Sequence, residues 1–247
     1  AGRADDLSPA EKYDLLVGDE DFTLTASQWE AGRRYYESSG SVEPWMGLCH
    51  GWAPAAFMLP RPTKPVTVLA ADGVTKLTFY PSDLKALGCL LWAVNDPAAR
   101  FIGGRCNDKE PGKDPKNGRT LSKQCFDTNP GTWHLSVVNQ IGVAKRSFII
   151  DATFDYEVWN QPVLGYAYGY FDPCTRKSVK TLAEATVARG SWAADPFAAY
   201  RSKDATALVG VAMSLTYVAE TTPQHEQSDG EGQIGRASCR ERVSSPV

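Results

Sequence analysis

The sequence predicts an α+β fold, with helices and antiparallel strands drawn from separate stretches of chain. Three observations carry this. Leu84, Leu87, Leu91 and Val94 recur at helical spacing behind Ser82. Val209, Val211, Met213, Leu215 and Tyr217 alternate as one face of a strand does. Trp133 to Ile141 and Ser147 to Thr153 read as two strands joined across Gly142 and Lys145-Arg146, as in a hairpin.

The elements follow in order. Ser8-Pro-Ala-Glu11 is a helix start, with Ser as N-cap, Pro at the first position and Glu at the third; the helix runs to Val17 and stops at Gly18. Asp19-Glu-Asp21 is a short solvated turn with too few oxygen ligands for calcium. Ser27 caps a second helix, Gln28 to Glu37, with Trp29, Tyr35 and Tyr36 as its contacts. Around Cys49 the chain reads Trp45-Met-Gly-Leu-Cys-His-Gly-Trp-Ala-Pro-Ala-Ala56. Pro54 cannot sit deep in a helix, so Cys49 is placed on a turn and the helix begins near Trp52. Val66 and Val68, then Leu77 and Phe79, alternate on either side of an Asp72-Gly73 turn. Residues 103–129 form an excursion of Lys, Asp, Gly and Pro, too polar for a core. Beyond Asp151, Trp159, Tyr166, Tyr168, Tyr170 and Phe171 make an aromatic stretch bent by Pro162 and Gly165, and Lys180 to Arg189 is helical in character.

The chain has 247 residues, 43% hydrophobic and 22% charged, with a net charge of −3. No apolar run approaches the roughly 20 residues of a membrane helix, and no basic cluster is dense enough to track nucleic-acid phosphates. The chain opens Ala1-Gly-Arg, with neither an initiator Met nor a signal peptide. Ile234-Gly-Arg-Ala-Ser-Cys-Arg-Glu-Arg-Val243 reads like a translated adapter. The expected organisation is therefore one domain over residues 1–233, truncated at both ends, and an artefactual tail over 234–247. Outside the tail five cysteines remain: Cys49, Cys89, Cys106, Cys125 and Cys174. A bridge between Cys106 and Cys125 would tie off the polar excursion, and Cys89 could pair with Cys174 or remain a buried thiol. Either way the usage favours an oxidising compartment, and hence a secreted, cell-surface or periplasmic location.

Cys49 stands among glycines and two tryptophans, at the edge of a small-residue segment able to open a helix. A thiol there faces the positive end of the helix dipole, a setting that favours the thiolate. An imidazole must take its proton, and a third group must hold that imidazole. Of the three histidines, His225 lies in a polar tail and His50 adjoins Cys49, which leaves His134 as the base and Asp151 as its orienting carboxylate. Bland readings compete: a buried structural Cys49, a structural His134, and an Asp151 that caps a turn. A metal site fits poorly, since no Cys-x-x-Cys pair and no ligand-spaced histidines occur.

Three segments carry a family resemblance: Trp45 to Ala56, Trp133 to Gly142, and Ser147 to Val163. They resemble the elicitor-type transglutaminases, secreted enzymes of plant-pathogenic oomycetes with bacterial relatives. Ser8 to Leu16 and Phe22-Thr-Leu-Thr25 also fit, so the likeness spans Ser8 to Tyr217. Val158-Trp-Asn-Gln-Pro-Val163 and Gly165 are similar to the surface peptide that plants recognise in the oomycete enzymes, with Leu164 in place of its basic residue. Phe148 to Thr153 is similar to the run around the catalytic aspartate of animal transglutaminases.

The resemblance implies a papain-like core: a nucleophile-bearing helix packed on an antiparallel sheet carrying His and Asp. It implies Cys49, His134 and Asp151 as the catalytic set, and a protein-glutamine γ-glutamyltransferase that joins glutamine to lysine through a thioester. Trp45, Trp52 and Trp159 are the candidate substrate contacts. The implied partners are protein substrates, together with any receptor of the loop Trp159 to Gly165. The chemistry needs no cofactor, and the sequence leaves a calcium requirement open. Two other readings stand beside this one: a cysteine peptidase or amidase with the same triad, and a non-catalytic surface elicitor.

Overall fold

The computed structural model describes residues 4–43, 46–95, 99–146, 148–152 and 157–219, with the backbone of 234–239 and 242–243. Helices and antiparallel strands divide between two compact units, the first from residues 1–97 and the second from 98–218 with the strands at 234–243.

In the first unit, helix α1 (Pro9–Val17) begins as its sequence predicts. The Ser8 hydroxyl accepts from the Glu11 N–H at 3.3 Å, and the Ser8 N–H donates to the Glu11 carboxylate at 2.8 Å. Gly18 closes the helix at φ 75°, a conformation that suits a residue without Cβ. Helix α2 (Thr23–Ser39) starts earlier than expected. Its capping acceptors come from outside it. The Asp19 carboxylate accepts from the Thr23 N–H at 3.0 Å, and Asp14 accepts from the Leu24 and Thr25 N–H groups at 3.2 and 2.9 Å. Ser27 therefore lies inside the helix, and Trp29, Tyr35 and Tyr36 are exposed rather than packed.

Helix α3 (Cys49–Met58) is followed by the hairpin of β1 (Val66–Leu69) and β2 (Lys76–Phe79), in register from Val66 opposite Phe79 to Leu69 opposite Lys76. Asp72 accepts from Val74 and Thr75 N–H groups, and Gly73 takes φ 71° in the predicted turn. Helix α4 (Pro81–Val94) is capped by Asp83, whose carboxylate accepts from the Tyr80 N–H at 2.9 Å, and not by Ser82. Ala70, Leu77 and Phe79 form the core here, with Leu15, Leu16, Val68, Leu84 and Leu87 against them. An ion pair is sealed beside that core: Lys12 Nζ lies 2.7 Å from Asp83, with both side chains at most 2% exposed.

The second unit is an antiparallel sheet with a helix on it. Strand β3 (Ile149–Ile150) pairs with β4 (Gln161–Phe171), β4 with β7 (Ala207–Val218), and β7 with β6 (Thr186–Ala188). Strand β5 (Ser178–Val179) flanks β4, and β8 (Ile234–Cys239) and β9 (Arg242–Val243) flank β7. Residues 234–239 thus run beside β7 on backbone pairing, which is open to almost any side chain. Lys180 to Ala185 is a turn and not a helix, with the Glu184 carboxylate accepting from the Lys180 and Thr181 N–H groups. Helix α5 (Pro130–Val137) and a π-helical segment (Val138–Val143) lie on the sheet. Val137, Ile150, Val163, Met213 and Leu215 are the buried centre.

The polar excursion is ordered by chemistry other than burial. Cys106 and Cys125 form the predicted disulfide. Arg119 sits between two rings, 3.8 Å from Phe126 and 4.2 Å from Tyr200, and the Tyr200 hydroxyl donates to Asp114 at 3.1 Å.

Candidate active site

Cys49 is the first residue of α3. The expected start near Trp52 is corrected: the Leu48 carbonyl accepts from Gly51 and Trp52 N–H groups at 2.9 and 2.8 Å, which closes the first turn around Cys49. Pro54 then lies inside the helix, so the turn gives up the N–H that His50 would otherwise receive. Packing outweighs that loss. A Cβ on Gly51 would fall 2.1 Å from the Cys89 carbonyl oxygen and 2.8 Å from Ala93, so α3 rests almost directly on α4. Ala53 and Ala55 are also buried. Cys49 and Trp52 are half-buried, three positions apart on the same helix. Trp45 lies outside the described residues. Cys89 and Cys174 are both free thiols, so of the two alternatives for Cys89 the unpaired one holds; burial pushes the Cys89 thiol up, while Cys174 is exposed in the turn after β4.

His134 lies on helix α5, and not on a strand. Asn129 accepts from the Gly131 and Thr132 N–H groups at 3.0 and 3.2 Å, and Pro130 takes the first helical position. Trp133, Val137 and Ile141 are four apart and all enter the core, a helical period that overrides the strand reading. His134 is the next position round. Its ring stands perpendicular to Tyr168 of β4, with centroids 5.1 Å apart. Its Nδ1 atom is buried with no hydrogen-bond partner among the described residues. Burial holds the imidazole below its ordinary range.

Asp151 follows β3 directly and is exposed. The predicted hairpin with the His134 segment does not form; β3 pairs instead with β4, Ile149 opposite Pro162 and Ile150 opposite Gln161. The two segments still share one core. Val137 and Ile150 lie in it together, and the Trp133 and Phe148 rings meet edge to face at 5.5 Å. Gln161 is buried and its side-chain oxygen accepts from the Ala152 N–H at 3.0 Å, which fixes the chain just past Asp151. Ser147 and Thr153, the ends of the predicted strand, lie outside the described residues.

Trp159 is half-buried and its indole N–H donates to Glu157 at 3.0 Å. The segment Trp159 to Gly165, expected as a loop, is mostly strand: Gln161, Pro162 and Val163 are buried in β4, and Leu164 is exposed.

Residues 6–231 match the transglutaminase elicitor family. The chain belongs to that family. No curated protein matches this transglutaminase elicitor. Among solved structures it is similar to the GP42 transglutaminase from Phytophthora sojae, at 27% identity and a TM-score of 0.43, over 73% of this chain and 41% of that one. The chain thus spans less than half the length of that relative.

The transglutaminase elicitor therefore presents its predicted residues in two settings: Cys49 and Trp52 in the first unit, His134, Asp151 and Trp159 in the second. Among the described residues no three His, Cys, Asp or Glu side chains are grouped to hold a metal ion, and no helix is long and apolar enough to cross a membrane. Sequence reasoning missed Gly51, Gln161 and Tyr168. Only Tyr168 left a usable signal, the alternation Tyr166, Tyr168, Tyr170 at strand period.

Proposed function

We propose that this transglutaminase elicitor is a protein-glutamine γ-glutamyltransferase with Cys49 as nucleophile, His134 as acid and base, and Asp151 as the carboxylate that steadies the imidazolium. The observation that carries the reading is the position of Cys49 at the N-terminal residue of α3 in a chain of this family. Aligned N–H groups at such an end favour a negative sulfur. His134 is consistent with it: burial holds the imidazole below its ordinary range, so the neutral form that a base requires is favoured, and the imidazolium needs a carboxylate to steady it. Its buried Nδ1 suits a carboxylate partner once the ring is charged.

The reaction balances without a cofactor. His134 takes the thiol proton. The Cys49 sulfur attacks the carbonyl carbon of a glutamine γ-carboxamide, and the C–S bond forms. The backbone N–H of Cys49 donates to the oxyanion. Collapse breaks the C–N bond, and ammonia leaves with the proton returned by His134, leaving a thioester. A lysine amine then attacks the same carbon, His134 takes its proton, the isopeptide C–N bond forms and the C–S bond breaks. Trp45 or Trp52 keeps water from the thioester, and Trp159 contacts the protein substrate. The disulfide supports a secreted or cell-surface setting, where protein substrates are met outside a reducing cytosol.

The test is incorporation of a tagged primary amine into casein by the wild type and by Cys49→Ala. The reading expects robust incorporation that the substitution abolishes. Casein fragments without tag would reassign the same residues to a peptidase, and equal labelling by both proteins would refute the role of Cys49.

A further inference from the structure

His134 is held differently from most catalytic imidazoles. The usual device is a hydrogen bond at the nitrogen remote from the reacting atoms, which fixes both tautomer and ring plane. Here Nδ1 has no such partner among the described residues. What meets the ring is Tyr168, perpendicular at 89°. An edge-to-face contact of this kind fixes the tilt of a ring but leaves the choice of tautomer open.

Tyr168 is 44% exposed, but rings flank it on both sides. Tyr166 stacks on one side of it, with centroids 6.3 Å apart and planes within 9°, and Tyr170 meets the other side at 5.7 Å and 76°. Tyr166 packs against the core cluster, and its hydroxyl occupies the space where a Gly142 side chain would be, 2.2 Å from that ideal Cβ. The row is thus pinned to the π-helical segment that continues α5. Across the sheet, Tyr166, Tyr168 and Tyr170 pair with Leu215, Met213 and Val211, all buried. A β-bulge between Val163 and Gly165 turns the row onto this face.

We propose that Tyr168 is a positioning residue for His134. Its ring sets the plane of the imidazole, and the tyrosines on either side hold that ring, while Nδ1 is left for the carboxylate. The inference rests on the reading of His134 as the base, yet its structural half is measurable without activity. The only feature of Tyr168 that it requires is the aromatic ring, so Phe must serve as well as Tyr.

The experiment compares wild type, Tyr168→Phe and Tyr168→Leu by histidine-selective NMR and by amine incorporation into casein. In the wild type and Tyr168→Phe, His134 ring protons show cross-peaks to the ring at 168 and a ring-current displacement. Tyr168→Leu moves those resonances toward the random-coil position. It also lowers kcat by about tenfold or more with KM little changed, as misplacement of a proton-transfer group does, while Tyr168→Phe stays within about twofold of wild type. Unmoved His134 resonances in Tyr168→Leu would overturn the proposal whatever the activity, and so would moved resonances with unchanged kcat. If Tyr168→Leu does not fold, the absence of cross-peaks between the two rings in the wild type overturns it. A wild type that shows the cross-peaks but transfers no amine leaves the ring contact standing and removes the catalytic reading of His134.

Discussion

Gly51 offers the sharpest test of how Cys49 is held. Gly51→Ala places a Cβ 2.1 Å from the Cys89 carbonyl oxygen and 2.8 Å from the backbone nitrogen and Cβ of Ala93, where tight contact begins near 3.4 Å. Two of those three atoms are backbone and cannot rotate away, so α3 must withdraw from α4 by on the order of 1 Å, opening a packed seam. Overpacking of this kind costs about 3 kcal/mol at its upper end. Alanine returns about 1 kcal/mol through helix propensity, for a net loss of about 2 kcal/mol. Two internal controls calibrate the result. Gly32, inside α2, has nothing within 4 Å of an added Cβ, so Gly32→Ala should gain up to about 1 kcal/mol. Gly88, inside α4, would meet only the Leu59 Cδ1 at 2.8 Å, which can swing aside, so Gly88→Ala should fall between. Urea midpoints at constant slope measure the series. Equal midpoints for Gly51→Ala and Gly32→Ala would refute the close α3–α4 contact, and with it the account of how the nucleophile's helix is seated.

Three further outcomes follow from the same geometry. Lys12→Met breaks the buried 2.7 Å ion pair with Asp83 and should cost about 3 kcal/mol in urea unfolding; adding Asp83→Asn removes the remaining carboxylate charge, keeps an acceptor for the Tyr80 N–H, and should recover part of the loss. Reducing Cys106–Cys125, 19 residues apart, should cost about 3 kcal/mol and expose the basic positions between Lys109 and Lys123 to trypsin, since the bridge helps hold Arg119 between its two rings. Burial keeps the His134 imidazole below 6.5 in the native state, so the unfolded chain binds the extra proton and stability declines as pH drops from about 7 through the native value; His134→Gln should flatten that part of the urea-midpoint profile.

Much of the first unit is legible in the sequence because its signals are local. Ser8, Pro9 and Glu11 announce α1, and Asp72-Gly73 announces the hairpin. Helix α2 is misread because its capping carboxylates, Asp14 and Asp19, come from before the helix, while Ser27 offers a false local start. The two strongest-looking strands around the site divide for a physical reason. Trp133-His-Leu-Ser-Val-Val is apolar at both two- and four-residue spacing, so alternation alone cannot choose between strand and helix. Asn129-Pro-Gly-Thr, with a capping side chain and a proline at the first position, decides it. The Cys106–Cys125 bridge is readable from composition, since a segment that buries little needs a covalent tie. The Arg119 sandwich is not readable, because Phe126 and Tyr200 are brought to it from distant positions.

The bulge in β4 shows how one residue decides which face of a peptide the fold presents. Val163 pairs with Tyr217, and Tyr166 with Leu215: three steps along β4 against two along β7. Strict alternation from Val163 would send Gly165, Ala167 and Gly169 inward and all three tyrosines to solvent. The extra residue reverses this. The tyrosines follow Val163 onto the face of Leu215, Met213 and Val211, where Tyr166 packs on the core and Tyr168 meets His134 while staying 44% exposed. No propensity reports the switch, because Val163 and Tyr166 are both good strand residues on either side of it. The cost falls on Leu164, which is 54% exposed while Gln161, Pro162 and Val163 are buried. Within Trp159 to Gly165 the fold therefore leaves Leu164 exposed, with Trp159, Asn160 and Gly165 half-buried. The proline and valine at the centre of the motif serve the sheet that carries Tyr168, and through it the setting of His134.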